Sequence, residues 1–206
     1  KYTNEEKKKV QETCEQYKDC LNHGKTEREC VTRVIEMAQK KGYRELYCTL
    51  KEGTPIKAGD KFYAVQMDKS IALFQIGRKP LSEGMNILGA HIDSPRIDIK
   101  QKPLYEKEGF AYFDTHYYGG IKKYQWTTIP LAIHGVVAKK DGTIIPICIG
   151  EKEEEPVFVI TDLLIHLAQK QMTEKATEVI QGENLDLLIG NCPLEQDETL
   201  EQEEKE

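Results

Sequence analysis

The sequence predicts an α/β protein, and three observations carry that prediction. The N-terminal segment holds two apolar stripes at helical spacing, each opened by a capping box. Short apolar segments bounded by turn residues follow from Lys61 onward. One nearly continuous apolar run, Asn86 to Asp93, has the pattern of a strand covered on both faces.

Taken in order, Thr3 and Glu6 fit the first capping box, and Val10, Cys14, Tyr17 and Leu21 recur at helical spacing behind it. His23-Gly24 stops that helix. Thr26 and Glu29 form the second box, Val31, Val34, Ile35 and Ala38 the second stripe, and Lys40-Lys41-Gly42 puts cations at the helix's negative end. The pair reads as a helical hairpin. Residues 61–67 and 70–76 read as a strand hairpin around Asp68-Lys69, and Ile97 to Lys100 as a strand ahead of Pro103. Ile129 to Ala138 and Thr143 to Ile149 read as β-structure around an Asp141-Gly142 turn, Thr161 to Lys170 as a short helix, and Leu185 to Ile189 as a strand. Glu195 to Glu206 is acidic without apolar periodicity and is expected to be solvated or disordered.

The 206 residues are 39% apolar and 31% charged, the balance of a globular chain rather than a disordered one. No apolar run approaches the ~18 to 20 residues of a membrane span, and the charged N-terminus lacks a signal-peptide core, so no membrane partner is expected. A net charge of −6 argues against nucleic-acid binding. The six cysteines form no CxxC pair, and several sit among apolar neighbours, as Cys148 does. They are expected to be buried, reduced thiols of a cytoplasmic protein.

The candidate chemistry centres on Gly89-Ala90-His91-Ile92-Asp93-Ser94-Pro95. In a strand, alternate residues share a face, so His91 and Asp93 would point the same way. A neutral imidazole ligates divalent metals, and a carboxylate two residues on can hold that ligand or orient nearby water. By pattern alone the pair serves equally as a metal site or as a structural His–Asp contact. His166, on a helix, would share a side with Asp162 and Lys170, and pattern alone makes it an exposed polar-face histidine. His116, His23 and His134 are given no role, and Trp126 is read as packing or interface.

His91-Ile92-Asp93-Ser94-Pro95 resembles the first metal-binding motif of the aspartyl-aminopeptidase (aminopeptidase I) family of zinc metallopeptidases. Tyr118-Gly119-Gly120, with Trp126 after it, resembles the junction where that family's inserted dimerisation domain begins. Leu164-Ile165-His166-Leu167 resembles a segment of the insert, and the likeness runs over nearly the whole chain. It implies that residues 1–118 are the first part of an α/β co-catalytic metallopeptidase domain. Residues 119–206 would then be part of a β-rich insert. It also implies an aminopeptidase that removes N-terminal residues from peptides, with two divalent ions per site, zinc the expected metal, activating a water and polarising the scissile carbonyl. His91 would be a metal ligand, Asp93 its catalytic support, and His166 a substrate-binding residue reaching a neighbouring subunit's site. Homo-oligomers would form through the insert.

The family's other metal ligands and its general base follow the insert, and this chain is expected to stop inside or near it, leaving the fragment alone inactive. Asp197, Glu201, Glu203 and Glu204 have no ligand-like spacing. Two rivals remain: a related metallopeptidase with a different insert, against which the Ser-Pro argues, and a non-catalytic assembly module of the same fold.

Overall fold

The computed structural model describes residues 1–192 and divides into two compact units, Lys1–Ser94 and Pro95 onward. The expected disorder of residues 195–206 lies outside the described residues. The expected boundary near Tyr118 falls inside the second unit, because the hairpin that begins at Arg96 pairs with a strand near residue 187.

In the first unit, α1 (Asn4–His23) and α2 (Glu27–Lys40) form the expected hairpin. In both capping boxes the threonine side chain accepts from the backbone of the glutamate three residues on, whose carboxylate bonds back to the threonine N–H. The stripe of α1, however, buries nothing: Val10, Tyr17 and Leu21 are exposed. Its link to α2 is instead an Arg33–Asp19 ion pair and a Cys20 Sγ–Met37 Sδ contact of 3.8 Å. Val31 and Ala38 of α2 are buried. Next come β1 (Arg44–Glu45), α3 (Leu46–Lys51), β2 (Lys61–Gln66) and β3 (Ser70–Gln75). Strand β2 lies between a parallel β1 and an antiparallel β3. Met67 and Asp68 turn the hairpin with φ of 52° and 56°, the left-handed conformation a tight hairpin turn requires. Phe62 of β2 is 1% exposed and anchors this unit.

In the second unit β4 (Arg96–Lys107) and β5 (Phe110–Tyr118) form an antiparallel hairpin. The ladder continues past Pro103 by a register shift between Ile99 and Leu104, where a residue without an N–H cannot be accommodated regularly. The sequence reading passed over β5. Its signal was the Glu108-Gly109 turn, with φ of 55° and 79°, ahead of the aromatic stretch Phe110 to Phe113. Strands β6 (Ile133–Ala138) and β7 (Ile144–Ile149) pair only with each other among the described residues. Strands β8 (Val159–Ile160) and β9 (Leu187–Gly190) complete a sheet of order β4-β5-β9-β8. Ile160, Ile180, Leu185 and Leu187 are its buried core, with Trp126 and Phe113 packed against them, as the packing role read for Trp126 requires. Thr115 donates to the Leu185 carbonyl at 2.6 Å inside it.

Three expectations fail. Residues 86–93 form no strand: among the described residues no ladder partner exists, and Ile87 and Leu88 are 79% and 101% exposed. Thr161 to Lys170 is a turn rather than a helix. Cys14, Cys48 and Cys148 are exposed and Cys20 and Cys30 half-buried, so the thiols are not core residues. Among the described residues no helix is long and apolar enough to cross a membrane.

Phe62 and Leu185, at 1% and 0% exposure, set the stability of their units. Phe62→Ala should cost about 3–5 kcal/mol and Leu185→Ala about 2–5 kcal/mol. Urea unfolding followed through amide signals of each unit checks both; losses under about 1 kcal/mol would contradict the core assignment.

Candidate active site

His91 and Asp93 are brought together by a local contact, not by a strand face. The segment that carries them is irregular through Pro95, and a residue before proline is driven to extended backbone, which ends the segment at Ser94. Cys30 Sγ of α2 lies 3.9 Å from the Ile92 carbonyl, between the two residues, and 3.5 Å from the Gly24 carbonyl.

His91 Nδ1 lies 2.9 Å from the Asp93 carbonyl oxygen and 3.1 Å from its Oδ1. Both partners are acceptors, so Nδ1 carries the proton, and in the neutral ring the lone pair falls on Nε2. The imidazole is 81% exposed, so Nε2 can reach an incoming ion, and the carboxylate is 37% exposed. Its own neighbour thus leaves the second ring nitrogen free as a donor. It is one donor of a set: among the described residues no group of three His, Cys, Asp or Glu side chains could hold a metal ion. The residues present therefore fit one corner of a divalent site.

His166 sits in a turn closed by Leu167 N–H to the Leu164 carbonyl and Ala168 N–H to the Ile165 carbonyl. Asp162 starts the segment, accepting from the Leu163 N–H and from Gln171 Nε2, each at 2.8 Å. A helix here would have no face to bury: Leu163, Leu164, Ile165 and Leu167 are 56–72% exposed, and a short helix needs tertiary packing to form. His166 is therefore exposed on a turn rather than on a helix face.

The other histidines have local partners. His23 meets Asp19 at 3.1 Å, and His116 lies tilted against Tyr117. His134, read as a plain strand residue, meets Glu151 at 2.9 Å and is only 13% exposed. Sequence reasoning also missed Asp186, whose Oδ2 accepts from the Tyr105 hydroxyl at 2.6 Å. The partners are far apart in sequence, and no local spacing announces them.

The sequence model of the aminopeptidase I zinc metalloprotease family (M18) matches residues 20–206. A probable M18 family aminopeptidase 1 of Clostridium acetobutylicum is 52% identical over 198 residues, covering 96% of this chain and 43% of the relative. The crystal structure of an M18 family aminopeptidase from Thermotoga maritima superposes with a TM-score of 0.83 at 43% identity, over 93% of this chain and 41% of that one. An S. cerevisiae dodecamer, mApe1, has a TM-score of 0.64 at 20% identity, over 93% of this chain and 40% of that one, a likeness of fold alone. The chain thus spans less than half the length of the relatives it matches.

One donor and its orienting carboxylate cannot hold a divalent ion against dialysis, since tight zinc sites use three or four protein ligands. The purified 206-residue chain should retain no stoichiometric zinc after dialysis, by elemental analysis. One tightly held ion per chain would place a complete site within these residues and contradict the reading.

Proposed function

We propose an activity from one premise: the chain belongs to the aminopeptidase I zinc metalloprotease (M18) family. It contributes to a zinc-dependent aminopeptidase that releases N-terminal residues from peptides. The observation that carries the reading is the His91 Nδ1 contact with Asp93, which turns Nε2 outward from a segment inside the matched region.

In this proposal His91 Nε2 is one ligand of a site holding two divalent ions. Asp93 acts through the imidazole, fixing its tautomer and raising its basicity. Bound zinc would supply Lewis acidity toward the scissile carbonyl and activate water as the nucleophile. The general base and remaining ligands would come from the part of the longer relatives that this chain does not span. Residues 119–206 would serve as an inserted domain through which copies assemble. The exposed Leu163, Leu164, Ile165, Leu167 and Met172 support that, because apolar patches of this kind mark interfaces. His166 stands among them and would donate to the carbonyl oxygen of a substrate bound in a neighbouring subunit.

In a longer parent protein, His91→Ala should abolish turnover and remove about one ion per site. Full metal content with normal turnover would remove His91 from the site. His166→Ala should keep fold and metal but lose ~10² to 10³ in rate, the usual cost of one oxyanion donor. Mixed oligomers of the two variants should regain part of the activity. Mixed oligomers that form and stay inactive would return His166 to an ordinary surface role.

A further inference from the structure

The second unit holds a cavity of about 290 Å³ where the β4–β5 hairpin meets the residues around the start of β9. Tyr105, Phe110 and Tyr112 line it together with Asp186, Asn184 and Lys107. Tyr105 and Tyr112 are cross-strand partners, and their rings stack at 5.4 Å and 17°. Glu108 also reaches the rim.

Asp186 is the unusual member. Its Oδ2 takes the Tyr105 hydroxyl at 2.6 Å, while its Oδ1 is buried with no hydrogen-bond partner among the described residues. The residue as a whole is half-buried and lines the cavity, so a positive group brought there meets its carboxylate. Burial, with the Asp186 hydrogen bond second, holds the Tyr105 proton far above the ordinary tyrosine range, so the hydroxyl stays a donor and does not add a competing charge.

Lys107 on the same lining supplies the opposite charge. A ligand that suits this cavity carries an ammonium for Asp186, an anion for Lys107 and an apolar part for the aromatic wall. A volume just below the ~300–1,000 Å³ typical of ligand pockets suits a ligand of about amino-acid size.

We propose that the cavity binds a free α-amino acid, its ammonium toward Asp186, its carboxylate toward Lys107 and its side chain against the tyrosine and phenylalanine rings. Its biological sense rests on the proposed activity, since a free amino acid is what an aminopeptidase releases. The binding itself does not need that activity.

The test titrates the 206-residue chain with L-leucine, L-leucinamide and 4-methylpentanoate, following backbone amide shifts at Ala111, Leu187 and Leu188. L-leucine should give saturable shifts, and each compound lacking one charge should bind roughly tenfold or more weakly, the usual scale for losing a charged hydrogen bond. Asp186→Asn should erase the advantage of leucine over 4-methylpentanoate, and Lys107→Gln its advantage over leucinamide. Lys107 is exposed, so its variant keeps the test open should Asp186→Asn fail to fold. No saturable shift with L-leucine, or equal binding of all three compounds, overturns the proposal. Neither result touches the activity reading, which is tested by turnover and metal content in the longer protein.

Discussion

An extended backbone keeps its place only when its N–H and C=O groups are paired, and this constraint sorts the whole chain. Strand β9 meets it from both sides, held between β5 and β8, and the residues around it carry the buried core of the second unit. Strand β2 meets it between β1 and β3, with Phe62 buried beneath. Residues 86–93 form an apolar run but find no strand partner among the described residues, although Cys30 Sγ and His91 Nδ1 lie against the Ile92 and Asp93 carbonyls. Their apolar side chains stay exposed for the same reason: without neighbouring strands there is no layer to cover them. The relatives are more than twice as long, so chain that could supply such a layer exists in them.

That contrast also says what was legible in the sequence. Features fixed by neighbours a few residues away were readable: both capping boxes, the β2–β3 hairpin, and the Asp141-Gly142 turn, where Gly142 takes a φ of 86°. Features that need a distant partner were not. The periodicity of α1 predicted a buried stripe, yet Tyr17 is 64% exposed because nothing among the described residues packs on that face. The leucines around His166 suggested a helix, but a helix of that length needs a surface to lie on. Strand β5 was missed because the strand expected at Ile97 to Lys100 stopped ahead of Pro103, whereas a register shift carries the ladder past it.

The candidate site was legible in its residue types and not in its geometry. The His-x-Asp spacing suggested two side chains on one strand face. The observed arrangement is tighter, with ring nitrogen, carboxylate and carbonyl within hydrogen-bond reach of each other. The contact joins residues two apart in the sequence. A histidine whose tautomer is already chosen loses less conformational freedom on binding an ion, which is the physical use of an orienting carboxylate. The Tyr105–Asp186 pair had no such local signature, since it joins β4 to the start of β9.

The role proposed for His91 is metal ligation through Nε2 while Asp93 holds Nδ1. It is tested most directly by a zinc-loaded crystal structure of a longer parent protein, using anomalous scattering to locate the ions. The expected result is an ion ~2.0 to 2.1 Å from His91 Nε2, with Nδ1 still on Asp93. An ion bound through Nδ1, or His91 outside the coordination sphere, would contradict it.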